Sequence, residues 1–500
     1  MIIKKKISFF FQILLICFSS LSLILFLYIN LKNLSLPGYD SENFFPISYW
    51  HLFTSRLEDP FLSSGFQTQF SNMWLKFENA HQQNTYEHNF HGWLWPISIS
   101  YLTPDKKYLD LIFSSSLLVF VTYFLFIFSS IKISNFKTTA FSSPYFAILT
   151  LYQSSRPEIL STFFLIILFI LISVKNKKNI YLIYESIIYG LMTVTSPVTS
   201  LMSIIFLYLK KLQNNNLLIF FKKNILFQGA LTLIIVILST ELVAEYGFVS
   251  WLNGIFNHGS SNFALGTNLI DHFKFYYILN PKFPTPIILL ILIFCFLIIF
   301  YTLNNYSILK KSFLNFAILF SLFFLIFNIS IYLSRVYFLI SISPIIWFWI
   351  VKNKLNLNYK INLFILFMSL LFVLFSTLYL LKENVNYIKI IKNGISSNEM
   401  VEKINQELYK TPEKQKIYSN NVHSYLSLHS YAGKFNHLVK NVDEADYIIF
   451  LQAGTGLNSP PKFENFKIII NKFHSDKPKF LNINFGRTLK DWSFALYKRI

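Results

Sequence analysis

The fold class predicted here is an α-helical polytopic membrane protein of about eleven transmembrane helices, with a small C-terminal extracytoplasmic α/β domain. Three observations predict it. Of the 500 residues, 54% are hydrophobic and only 14% charged, more apolar surface than a soluble chain of this length keeps dry. Lysines punctuate the apolar runs instead of gathering on one face or arm, which is the positive-inside pattern of membrane topology. From about residue 382 the long apolar runs stop, and short β-like segments alternate with turn and helix signals. The formal net charge of +20 is therefore read as topology, and a nucleic-acid partner is excluded because such a protein concentrates its basic residues in a patch.

The first apolar run, Ile7 to Ile29, follows Lys4, Lys5 and Lys6. It is too long for a signal-peptide core and no small-x-small cleavage site follows it, so it is expected to stay as an anchor with the N-terminus in the cytoplasm. The stretch 32–108 then lies outside. Its acids slightly outnumber its bases, and Trp50, Trp74, Trp93 and Trp95 favour short helices lying at the lipid interface. Cys17 and Cys295 both sit inside apolar runs, which speaks against a disulfide framework.

Further spans are expected at 109–131, 138–152 and 158–174. The apolar stretch 180–209 has lysines at both ends, so it must start and finish on the same side; Thr195-Ser196-Pro197 supplies the break between two short spans. Spans at 224–246, 284–303, 312–333, 336–351 and 361–381 complete the set. This parity leaves no acid in the inner loops and puts the long loops, 32–108 and 247–283, outside. The transmembrane domain is 1–381 and the extracytoplasmic domain 382–500. In the latter, Ser396-x-x-Glu399 is a capping box for a helix through Leu408, and strands are expected at 416–419, 447–451, 467–471 and 481–485.

Several residues are candidates for chemistry. Asp40 and Glu42 stand just beyond the first span in LPGYDSENFFPISYWH, where partial loss of hydration suits a carboxylate to take up a proton. A solvated loop start is the plain alternative. The chain has only five arginines, Arg56, Arg156, Arg335, Arg487 and Arg499, and all fall on the outer side. Arg156 and Arg335 flank spans on the side that disfavours positive charge, which a phosphate ligand explains, because guanidinium binds phosphate oxygens in pairs. The competing reading is snorkelling to headgroups or pairing with Glu158. Glu87, His88 and His91 have a spacing that leaves a divalent metal open, although two imidazoles and one carboxylate are few ligands. Glu241 and Glu245, one turn apart near a span end, either enter a polar cavity or mark where the span stops.

Taken together, the acidic Asp40-Ser41-Glu42, the outer Arg156-Pro157-Glu158, the Ser196-Pro197 break, Arg335-Val336-Tyr337 and the terminal α/β domain opening on Ile417-Tyr418-Ser419-Asn420 resemble the GT-C class of membrane glycosyltransferases. That class includes protein mannosyltransferases and lipid A aminoarabinose transferases. The resemblance covers nearly the whole chain as architecture, through short motifs. Glu42 stands where a second Asp is usual, and one residue is inserted in the late Arg-Tyr element.

The resemblance implies an enzyme of the cell (inner) membrane. It would transfer a sugar from a polyprenyl-phosphate carrier to a glycan, lipid or protein acceptor on the outer face, among membrane lipids. Asp40 or Glu42 would be the catalytic acid or base; Arg335, Arg156 and Tyr337 would hold the donor phosphate; Glu87, His88, His91 and Glu158 would contact the acceptor or a loop. No cofactor is required beyond the divalent metal left open. The sequence has no Gly-rich phosphate loop, and a lipid donor fits that. A surface-polysaccharide polymerase or ligase and a permease are the other classes in play. A transporter reading is weakened by the lack of an internal inverted repeat.

Overall fold

The structure, a computed structural model, describes residues 2–34, 45, 48, 51, 92–103, 107–133, 135–154, 156–173, 180–197, 199–200, 223–243, 247–253, 255, 359–393, 397–408, 415–420, 437–439, 441–453, 459–472 and 492–500. Among these the chain is mostly helical, with a small sheet near its C-terminus. The helices are α1 (Ile2–Leu31), α2 (Leu94–Tyr101), α3 (Asp110–Ile133), α4 (Phe136–Tyr152), α5 (Glu158–Ser173), α6 (Ile180–Thr195), α7 (Lys223–Val243), α8 (Tyr359–Asn393) and α9 (Ser397–Leu408).

Among the described residues three helical segments are long and apolar enough to cross a membrane: Phe9–Leu31 and Asp110–Lys132, of 23 residues each, and Leu226–Val243, of 18. At a helical rise of about 1.5 Å per residue the first two reach roughly 34 Å, enough for a hydrocarbon core of about 30 Å. Glu158–Leu171 and Ile180–Thr195 are shorter apolar helices. Apolar helices of this kind mark a membrane protein. The expected spans 284–303, 312–333 and 336–351 lie outside the described residues.

The many serines and threonines in these helices are used locally. A hydroxyl buried among apolar side chains must find an acceptor, and the carbonyl one turn back is the nearest. Ser19 donates to Leu15 O at 2.7 Å, Ser116 to Ile112 O at 2.7 Å, Thr122 to Leu118 O at 2.7 Å and Thr150 to Phe146 O at 3.0 Å. Asn135 caps α4 by accepting from Thr138 N at 2.8 Å. Pro144 sits inside α4, and the neighbouring Ser142 and Ser143 hydroxyls donate to backbone carbonyls at Thr139 and Ala140.

The chain divides into two compact units. The first comprises Met1–Leu23, Asn89–Leu94 and Leu118–Leu381; the second comprises Ile24–His88, Trp95–Leu117 and Lys382–Ile500. In the first unit α6 packs on α5 and α7. Gly190 makes the α6–α7 approach close, since a Cβ there would stand 2.7 Å from Ile235 Cγ2. α6 ends at Thr195, just before Pro197, because the residue before a proline is pushed out of helical geometry.

In the second unit a five-stranded mixed sheet is built from β1 (Lys416–Ser419), β2 (His437–Leu438), β3 (Tyr447–Ala453), β4 (Phe466–Lys472) and β5 (Trp492–Arg499), in the order β2-β1-β3-β5-β4. β1 runs parallel to β2 and β3, and β5 runs antiparallel to β3 and β4. Val439, Ala445, Ile448, Ala495 and Tyr497 form a buried core against Phe450, Phe463 and Phe466. Asn420 extends the β1–β3 pairing with its side chain, donating to Leu451 O and accepting from Leu451 N, both at 2.8 Å. The Tyr497 hydroxyl donates to Pro461 O at 2.7 Å, and burial pushes its pKa up to about 12.

Strands β1, β3 and β4 fall where the sequence places them, whereas the expected strand at 481–485 lies outside the described residues. β5 was not foreseen. Phe494, Ala495, Leu496 and Tyr497 are all buried in succession, so this strand lacks the alternation by which a one-sided strand is recognised. α8 also runs past 381, because KENVNYIKIIKN contains neither Gly nor Pro to stop it.

Candidate functional site

In the second unit the end of α1 is lined with polar side chains that are buried. Asn30 Nδ2 donates to Ser116 Oγ, and Asn33 Nδ2 donates to Asp110 Oδ1 at 3.3 Å. Asn33 closes α1 with a φ of 50°, the left-handed geometry that Asn tolerates at a helix end. Asp110 opens α3, where the helix dipole favours a carboxylate. Thr103 Oγ1 donates to Ile99 O at 2.7 Å and stands 2.9 Å from Ser114 Oγ. Phe45 stacks on the buried Trp95 with ring centroids 5.8 Å apart.

His51 lies in the same unit, half-buried, its Nδ1 2.7 Å from Ser100 Oγ. Ser100 donates its single hydroxyl hydrogen to Ile97 O at 2.8 Å. With that hydrogen on Ile97 O, the Ser100 oxygen is placed to accept from the imidazole, an arrangement that has the ring hydrogen on Nδ1 and a lone pair on Nε2. Burial lowers the His51 pKa, favouring this neutral form. The ring makes a T-shaped contact with Tyr101 at a centroid distance of 5.9 Å.

Further along this unit, Lys382, Glu383, Asn384 and Asn386 of α8 are all buried. Lys382 Nζ stands 3.9 Å from Glu383 Oε1, and Tyr387 packs on Phe26 with ring centroids 6.0 Å apart. Among the described residues neither amide atom of Asn384 has a hydrogen-bond partner.

In the first unit Glu158 and Glu185 are both buried against polar partners. Arg156 Nε donates to Glu158 Oε2 at 3.0 Å and Arg156 Nη2 to Glu158 Oε1 at 3.1 Å, with the side chains 5% and 0% exposed. Pro157 between them sits where a proline suits the start of a helix, and Glu158 occupies the first turn of α5. Glu185 of α6 is fully buried and accepts from Gln228 Nε2 of α7 at 3.0 Å. Trp93 Nε1 donates to Thr240 Oγ1 at 3.1 Å. Glu241 accepts from Phe248 N at 2.9 Å and lies beside Gly247.

Of the candidates taken from the sequence, Arg156 and Glu158 are thus brought together with each other. Asp40, Glu42, Glu87, His88, His91, Arg335, Tyr337 and Glu245 lie outside the described residues. Among the described residues no group of three or more His, Cys, Asp or Glu side chains is placed to hold a metal ion. Arg499 is used structurally, donating from Nε to Ala445 O at 2.8 Å and from Nη2 to Asp443 O.

Sequence reasoning missed His51, Asp110, Glu185 and Lys382. For Asp110 and Glu185 there was a signal, a carboxylate at the head of an apolar run and another within one. For His51 there was none, since its partner Ser100 is distant in sequence. The chain matches no protein-family model and no curated protein.

Proposed function

We propose that the protein is a membrane glycosyltransferase that moves a sugar from a polyprenyl-phosphate carrier to an acceptor on the outer face of the membrane. The observation that carries this reading is the buried polar lining at the end of α1. A helix leaving a bilayer into an inert loop needs no such lining. Here Asn30, Asn33, Asp110, Ser114 and Ser116 are buried together, at the end of α1 that leads directly into the Asp40-Ser41-Glu42 segment.

The chemistry divides between two kinds of residue. Asp40, with Glu42 as the supporting acid, takes the proton of the acceptor hydroxyl as its oxygen attacks the anomeric carbon. The bond from that carbon to the carrier phosphate breaks, and the phosphate leaves with the electron pair. Arg335, with Tyr337 beside it in sequence, stabilises the charge on the leaving phosphate. The Arg156 fork faces Glu158 with two of its nitrogens, so Arg156 takes the lesser part in donor binding. The N-terminus is cytoplasmic, and the 382–500 region, the long loops and the active site are extracytoplasmic.

The test is donor consumption. Purified protein in defined bilayers is given polyprenyl-phosphate sugars together with a panel of hydroxyl-bearing glycan, lipid and peptide acceptors and assayed for release of the free lipid phosphate, with Asp40→Asn as the control. Release by the wild type and not by the variant supports the reading; no release from any such donor rejects it.

A further inference from the structure

We propose that His51 and Tyr101 form a carbohydrate subsite, in which His51 Nε2 accepts a hydrogen bond from a sugar hydroxyl and the Tyr101 ring supports the apolar face of the same sugar. This rests on the transferase reading and adds to it the class of acceptor, a hydroxyl-bearing sugar. Both residues belong to the second unit.

The geometry of the pair carries it. Ser100 has one hydroxyl hydrogen and spends it on Ile97 O, so Nδ1 of His51 carries the ring hydrogen and Nε2 is an acceptor with no partner among the described residues. A neutral imidazole nitrogen prefers a neutral O–H donor, whereas a phosphate oxygen needs the doubly protonated ring. Burial favours the neutral form still further. Tyr101 is 81% exposed while making a T-shaped contact with the same imidazole. An exposed aromatic beside a fixed hydrogen-bond acceptor is the combination a pyranose requires, a flat surface for its C–H face and an acceptor for a hydroxyl at its rim. The α2 backbone holds both together, since Ser100 and Tyr101 are consecutive and Ser100 is anchored to its own helix.

An aromatic at a helix end also suits the lipid interface, and the experiment separates the two roles. Full-length protein in nanodiscs is titrated with methyl α-mannoside, methyl β-glucoside, methyl β-galactoside and N-acetylglucosamine, with saturation-transfer NMR as the readout. Binding of at least one is expected. His51→Asn keeps a donor towards Ser100 and removes the Nε2 acceptor; it should weaken binding about threefold to tenfold, the value of one neutral hydrogen bond. Tyr101→Ala should weaken it similarly and Tyr101→Phe should not. The described groups facing His51 are the Ser100 hydroxyl and the Tyr101 ring, and burial holds the imidazole below its ordinary pKa. Affinity should therefore be kept at neutral pH and be lost only on acidification past the ordinary imidazole range, as the ring protonates.

A histidine-selective nitrogen NMR spectrum tests the premise separately: Nδ1–H at neutral pH is expected, and Nε2–H overturns the proposal. Binding of none of the four sugars, or equal binding by His51→Asn, also overturns it and leaves a lipid-interface anchor. Donor consumption without sugar binding rejects this subsite and not the transferase. Sugar binding without donor consumption rejects the transferase and keeps the subsite.

Discussion

Arg156 and Glu158 face each other through two parallel hydrogen bonds, with both side chains buried and one residue between them in the chain. A buried guanidinium is thereby neutralised within its own turn. The pair's first role is to hold the start of α5 in place. Removing one partner strands a buried charge, so Glu158→Gln and Arg156→Gln should each destabilise the protein by about 3 to 5 kcal/mol. The double substitution should cost less than the sum of the two. Thermal unfolding in a fixed detergent, as a double-mutant cycle, reads this; additive costs would show the pair to be uncoupled.

Among the described glycines Gly92 leaves the least room for a side chain. Its φ is +86°, and an added Cβ would lie 2.0 Å from Val194 O at the end of α6. Gly92→Ala should cost about 1 to 3 kcal/mol from backbone strain alone, with the overlap adding to it. Loss of folded protein on size exclusion is expected, and a wild-type melting temperature would refute the close approach.

The topology prediction follows from the lysines. Single cysteines at Asn393 and Asn214, in a chain cleared of Cys17 and Cys295, are to be treated with an impermeant thiol reagent on intact cells. Labelling at Asn393 and protection at Asn214 are expected. The opposite pattern inverts the protein and moves the proposed active site to the wrong face.

For the proposed chemistry, Asp40→Asn should lower turnover by about a hundredfold to ten-thousandfold without loss of fold, since that is the usual cost of losing a general base. Glu42→Gln should cost less. If the two effects are reversed, Glu42 is the base; an active double variant removes the motif from the mechanism.

Arg335 is expected to bind the donor phosphate through paired hydrogen bonds, which lysine cannot reproduce. Arg335→Lys should weaken donor affinity roughly tenfold to a hundredfold, corresponding to about 1.5 to 3 kcal/mol for a charged hydrogen bond. Arg156→Lys should act mainly on stability, given its partner Glu158. Unchanged donor saturation in Arg335→Lys would reduce Arg335 to a membrane anchor.

Composition and pattern were enough to determine the helical, membrane-type character of the chain, the helices at α1, α3, α5 and α7, and strands β1, β3 and β4. These depend on long apolar runs, lysine punctuation and local propensity, all of which are properties of contiguous residues. Tertiary structure alone decided that β5 lies between β3 and β4, that Glu185 reaches Gln228 across two helices, that Asn33 reaches Asp110, and that His51 meets Ser100. Each is a contact between segments distant in sequence. A hydrogen bond is directional and short, so which side chains meet depends on how helices and strands are packed, and linear spacing carries no record of that.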